Sequence, residues 1–113
     1  MRRPVGILLL ACAAADARDK RAADLQAKAA ELSKSADGVW GAIVMSPDQV
    51  SDDDLEKLIE AYEKSADLYN DSLDIEEDAG VNGSLAILTR RLGKARFLQM
   101  VRHRARAPPA PAP

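Results

Sequence analysis

AADLQAKAAELSKSADGV, residues 22–39, places Ala22, Leu25, Ala29, Leu32, Ala36 and Val39 at alternating steps of three and four. That spacing is a heptad seam on one face of an α-helix, and alanine at every other seam position lets a partner helix approach closely. From Ala13 to Asp37 the chain is rich in Ala, Lys, Glu, Arg and Leu, with no Pro or Gly inside. The composition predicts a first helix over 13–37, with Gly38 as its stop. Asp16 with Lys20 and Asp24 with Lys28 are acid-before-base pairs four apart, each contributing about 0.2–0.5 kcal/mol on a solvent face.

Working outward, residues 39–45 read VWGAIVM. This island is too short for a helix of its own and has no partner strand, so it reads as a hydrophobic connector with Trp40 inserted between helices; the alternative is an exposed apolar anchor. Ser46-Pro47-Asp48-Gln49 has the signature of a helix start, and Ser51 followed by Asp52, Asp53 and Asp54 offers a second one. Leu55, Leu58, Ile59, Tyr62, Ala66, Tyr69 and Leu73 then trace one helical stripe, predicting a second helix over about 47–77. After Gly80 and Asn82-Gly83, a third helix is predicted over about 82–104. Its apolar face is Leu85, Leu88, Leu92, Ala95 and Leu98, widened at the end by Phe97, Met100 and Val101. The last residues, 105–113, read ARAPPAPAP and predict a disordered tail.

The 113 residues make one domain at most, and with so many alanines and few aromatics its core is thin. Such a domain gains from a partner, a second copy or a surface. The net charge of −2 conceals a separation: residues 45–80 hold thirteen carboxylates against Lys57 and Lys64, whereas residues 81–113 hold seven Lys and Arg and no acid. An acidic helix followed by a basic one favours their antiparallel pairing, although exposed ion pairs are worth only about 0–1 kcal/mol each and the apolar stripes must decide the packing.

Ahead of the first helix, Arg2 and Arg3 precede the apolar run Val5 to Ala11, and the only cysteine, Cys12, follows it. Leu9-Leu10-Ala11-Cys12 resembles the lipobox that ends bacterial lipoprotein signal peptides, with Leu9 and Ala11 at matching places and Leu10 less usual in the middle. The resemblance implies a signal peptide at 1–11, lipidation at Cys12 and a location in the cell envelope. A second reading of the same leader takes Ala13-Ala14-Ala15 as a small-x-small cleavage site that releases a soluble product. In a third, the leader is simply the opening of the first helix and the protein is cytoplasmic. The run is too short to span a membrane.

Catalytic chemistry finds no foothold. His103, the lone histidine, stands between Arg102 and Arg104, where cations surround it and neither an orienting acid nor a nucleophile is near in sequence. Asp74 to Gly80 resembles a calcium loop in its alternating acids, but Ala79 and Leu85 stand where an EF-hand needs Gly and Glu. The segment around Tyr62 and Tyr69 is mildly similar to a tetratricopeptide repeat, without the Trp and Leu-Gly positions of its first helix. No metal ligands, cofactor or catalytic residues are assigned. The basic patch Arg90, Arg91, Lys94, Arg96, Arg102, Arg104 and Arg106 invites a nucleic-acid reading. Against it stands the acidic helix next in sequence, the nearer electrostatic partner.

Together these features predict an all-α protein, either a small three-helix bundle or a helical hairpin with a separate N-terminal helix. The expected function is non-enzymatic: an exported, lipid-anchored module that binds another protein or itself, with Leu25, Leu32 and Trp40 as candidate contacts. The competing expectation is a cytoplasmic helical adaptor or a nucleic-acid-associated protein using the basic helix.

Overall fold

The computed structural model describes the backbone of residues 3–106 and the side chains of residues 17–106. The signal-peptide reading of residues 1–11 and the acylation of Cys12 fall outside the described side chains, and residues 107–113 of the tail lie outside the described residues altogether. The protein is an all-α bundle. Helix α1 spans Arg3–Met45, a 3-10 turn spans Pro47–Gln49, α2 spans Asp52–Ile75 and α3 spans Ala79–Arg106.

The predicted stop at Gly38 is corrected: α1 runs through Gly38 and Gly41 to Met45, and neither glycine adopts a positive φ. Continuing the helix buries Ile43 and packs Val39 and Trp40 against the core. Burial of large side chains, about 1.5–3 kcal/mol each when complete, outweighs the roughly 1 kcal/mol that a helical glycine costs relative to alanine. VWGAIVM is therefore the last two turns of α1 rather than a connector. The helix ends where Ser46 precedes Pro47, whose ring disfavours helical backbone at the residue before it.

Of the two predicted starts for α2, the second is used. Ser51 accepts a hydrogen bond on Oγ from the Asp54 N–H at 3.1 Å, and Asp52 to Asp54 occupy the positive end of the helix dipole. Pro47–Gln49 forms only a 3-10 turn, and Ser46 makes no side-chain cap. Helix α3 starts three residues earlier than predicted, because the Asp78 carboxylate accepts from the N–H groups of Gly80 at 2.8 Å and Val81 at 3.3 Å. It also carries Ala105 and Arg106 beyond the predicted end at 104.

Helix α2 runs antiparallel to both neighbours. On α1, the residues Ala22, Ala29, Ala36 and Ile43, seven apart, are buried. The facing side of α2 offers Leu58, Ser65 and Ser72 at the same spacing, all buried, and the Ser65 hydroxyl donates to the backbone carbonyl of Ala29 at 2.7 Å. A short side chain reaching the main chain of the next helix shows how closely the two backbones approach. The other side of α2, through Leu55, Ile59, Tyr62 and Tyr69, packs with Val81, Leu88, Leu92 and Ala95 of α3 in one continuous core. The expectation that Phe97, Met100 and Val101 widen the core face of α3 is corrected: they are 63%, 43% and 43% exposed.

Candidate functional site

The three helices meet at one polar knot. Tyr62, fully buried, donates its hydroxyl to Asp37 Oδ1 of α1 at 2.8 Å. Arg91 of α3 donates to the same Asp37 oxygen at 3.0 Å and to the Tyr62 hydroxyl at 3.2 Å, while its guanidinium lies 5.3 Å from the centre of the Trp40 ring. Burial, with the nearby Asp37 adding to it and Arg91 opposing it, pushes the Tyr62 phenol up to about 12. Tyr62 is thus a permanent donor at physiological pH, which suits a structural role rather than proton transfer. Trp40, a candidate partner contact, is half-buried beside this knot. Its expected place was a connector between helices; it lies instead within α1, packed against the core with Arg91 over its ring.

The other two candidate contacts have a different setting. Leu32 lines an open groove of about 490 Å³ with Leu68 of α2, rimmed by Lys28, Glu31 and Ser35. Leu25, one heptad earlier on the same face, is also half-exposed. The single seam expected from sequence is divided: the alanine column turns into α2, and the leucine column lies along its edge. No residue of α3 lines the groove, so α1 and α2 present an open furrow with Leu32 and Leu68 at its floor that nothing in the described chain covers.

The basic patch divides as well. Arg96 pairs with Glu63 at 2.6 Å, Arg102 pairs with Asp52 at 3.1 Å, Arg106 also pairs with Asp52, and Arg91 belongs to the knot. The hydrogen bond from Arg106, with Arg102 assisting, holds the Asp52 carboxyl below the usual carboxylate range. These contacts tie the end of α3 to the start of α2, in the antiparallel sense that charge separation predicted. Arg90, Lys94 and Arg104 form no salt bridge among the described residues. A nucleic-acid reading is left with three cations that no acid engages among the described residues, instead of seven.

The acidic turn between α2 and α3 has its own geometry. Asp78 caps α3, while Glu76 lies beside Asp19 and Arg18 of α1 around a shallow pocket. The neighbouring Asp19 carboxyl, which can accept a proton shared by Glu76 and repels its charge, holds Glu76 above its ordinary range, with Arg18 opposing. A raised carboxyl binds its proton more tightly in the folded chain, so its favourable contribution is present at acid pH and is lost as pH rises through the folded value. Glu76→Gln is therefore expected to raise Tm at pH 7, with the difference vanishing below about pH 4. Thermal melts followed by circular dichroism check this; a variant melting at or below the parent at pH 7 contradicts it. Among the described residues, no three His, Cys, Asp or Glu side chains gather as a metal ion would require.

Comparison with protein families, curated proteins and solved structures found no match. Among the described residues, no helix is long and apolar enough to cross a membrane.

Proposed function

We propose that this chain is an exported, lipid-anchored helical module without catalytic activity, which acts by binding through the furrow between α1 and α2. The observation that carries the binding reading is the pairing of Leu32 with Leu68 in an open apolar groove. The occupant that fits it best is a second copy of the chain. Lys28 and Glu31 stand on the same rim, three apart, so antiparallel pairing of two copies of α1 about a twofold axis matches each lysine to the other copy's glutamate, in the self-complementary manner of an isologous interface. Pairing of the two furrows encloses Leu25, Leu32 and Leu68 from both copies in one apolar seam.

The anchor rests on the resemblance of Leu9-Leu10-Ala11-Cys12 to a lipobox. Expression in a bacterial host with labelled fatty acid tests it: the parent chain is expected to take up label and Cys12→Ser is expected to take up none. Equal labelling of the two, or unlabelled protein in the cytosol, rejects the anchor. The groove is tested separately through self-association, which Leu32→Glu is expected to abolish while leaving the helical signal unchanged.

A further inference from the structure

From Ile87 to Arg104 the outer surface of α3 carries a second coherent face, distinct from the α1–α2 furrow. Ile87, Arg90, Lys94, Phe97, Val101 and Arg104 follow one another at steps of three and four, so they share one line along the helix, about 26 Å long at 1.5 Å per residue. Met100 flanks it. Ile87 is 52% exposed and Phe97 63% exposed, and the three cations pair with no acid among the described residues. The other side of α3 is committed to the core through Leu88, Leu92 and Ala95.

A partner for this face must supply negative charge and an apolar layer at the same depth. A second α3 does not, because it sets Arg90, Lys94 and Arg104 against like charges. The acidic helix of a second copy does not either: every exposed residue of α2 is polar or charged, leaving nothing to receive Phe97. Nucleic acid supplies phosphate without a continuous apolar layer. An anionic bilayer surface meets both needs, since its headgroups attract Lys and Arg while the acyl boundary just below accepts Phe, Met and Val.

We infer that the outer face of α3 docks on an anionic lipid surface, with Arg90, Lys94 and Arg104 at the headgroups and Phe97, Met100 and Val101 turned into the acyl boundary. The bundle then lies with α3 along the membrane plane, and the α1–α2 furrow stays free for its own occupant. This docking depends neither on acylation of Cys12 nor on self-association.

Co-sedimentation of the full chain carrying Cys12→Ser with two kinds of vesicle tests it, one of phosphatidylcholine alone and one with anionic phosphatidylglycerol added. Stronger partitioning onto the anionic vesicles is expected, falling as salt is raised. The triple change Arg90→Gln, Lys94→Gln and Arg104→Gln is expected to reduce that partitioning at least about tenfold. Phe97→Ser, which leaves the charge unchanged, is expected to reduce it about tenfold. All these side chains point outward, so the helical signal is expected to remain, and it is checked alongside. Equal partitioning onto the two vesicle types, or either variant partitioning as the parent does, would overturn the inference.

Discussion

Tyr62→Ala is expected to destabilise the fold by about 3–5 kcal/mol, the range for removing a buried aromatic ring. Tyr62 has no exposed surface and sits where all three helices converge. Its ring belongs to the same apolar core as Leu58, Ile59, Leu88 and Leu92, and its hydroxyl bridges Asp37 and Arg91. Truncation removes ring and bridge together, leaving a cavity under a charged pair. For a domain of about this size total stability is only about 5–15 kcal/mol, so this one change removes a large share of it. Tyr62→Phe separates the two contributions: it keeps the ring and loses the bridge, with an expected cost of about 0.5–1.5 kcal/mol. Urea unfolding followed by circular dichroism measures both. A loss below about 1 kcal/mol for the alanine variant contradicts the placement of Tyr62 at the convergence of the helices.

Ala29→Leu is the second large effect, in the opposite steric direction. Ala29 is fully buried, and the Ser65 hydroxyl donates to its carbonyl at 2.7 Å, so α1 and α2 have no room between them for three further carbons. A leucine there must force the helices apart, at an expected cost of about 1–3 kcal/mol for overpacking. The Ser65 hydroxyl then loses its acceptor, which adds the penalty of an unsatisfied buried donor. Ala30→Leu, one residue on but exposed, makes the control and is expected to stay within about 0.5 kcal/mol of the parent. If Ala29→Leu stabilises the chain, as a simple gain of apolar surface would, the close approach of α1 and α2 is wrong.

These two sites also show what could be read from residue order and what could not. The stripe from Leu55 to Leu73 was legible because a strict helical period admits one buried face, and the Ser51 cap was legible because hydroxyl and carboxylates occupy fixed places at a helix start. The seam of α1 was legible as a seam. Its division into an alanine column that faces α2 and a half-exposed leucine column along the edge was not, because both columns obey the same spacing. Gly38 was misread as a stop since local propensity says nothing of the core that Ile43 finds further along. Asp78 was hidden as a cap inside a run of acids, where only hydrogen-bond geometry distinguishes it.

The same limit applies to the charges. Counting identified an acidic helix and a basic one, and their antiparallel pairing follows from opposite sign. Direction around the helix axis is absent from a count, so the seven cations read as one patch, whereas the fold pairs Arg91, Arg96, Arg102 and Arg106 with acids of α1 and α2. Phe97, Met100 and Val101 were misassigned for the same reason. Their spacing fits either side of α3, and the inward side was already filled by Leu88, Leu92 and Ala95.

Self-association through the α1–α2 furrow is the central functional claim, and sedimentation equilibrium of the full chain carrying Cys12→Ser addresses it most directly. A reversible dimer is expected, becoming a monomer when Leu32→Glu is added, with the helical signal unchanged. A parent chain that is monomeric across the concentration range, or a dimer indifferent to Leu32→Glu, would contradict it.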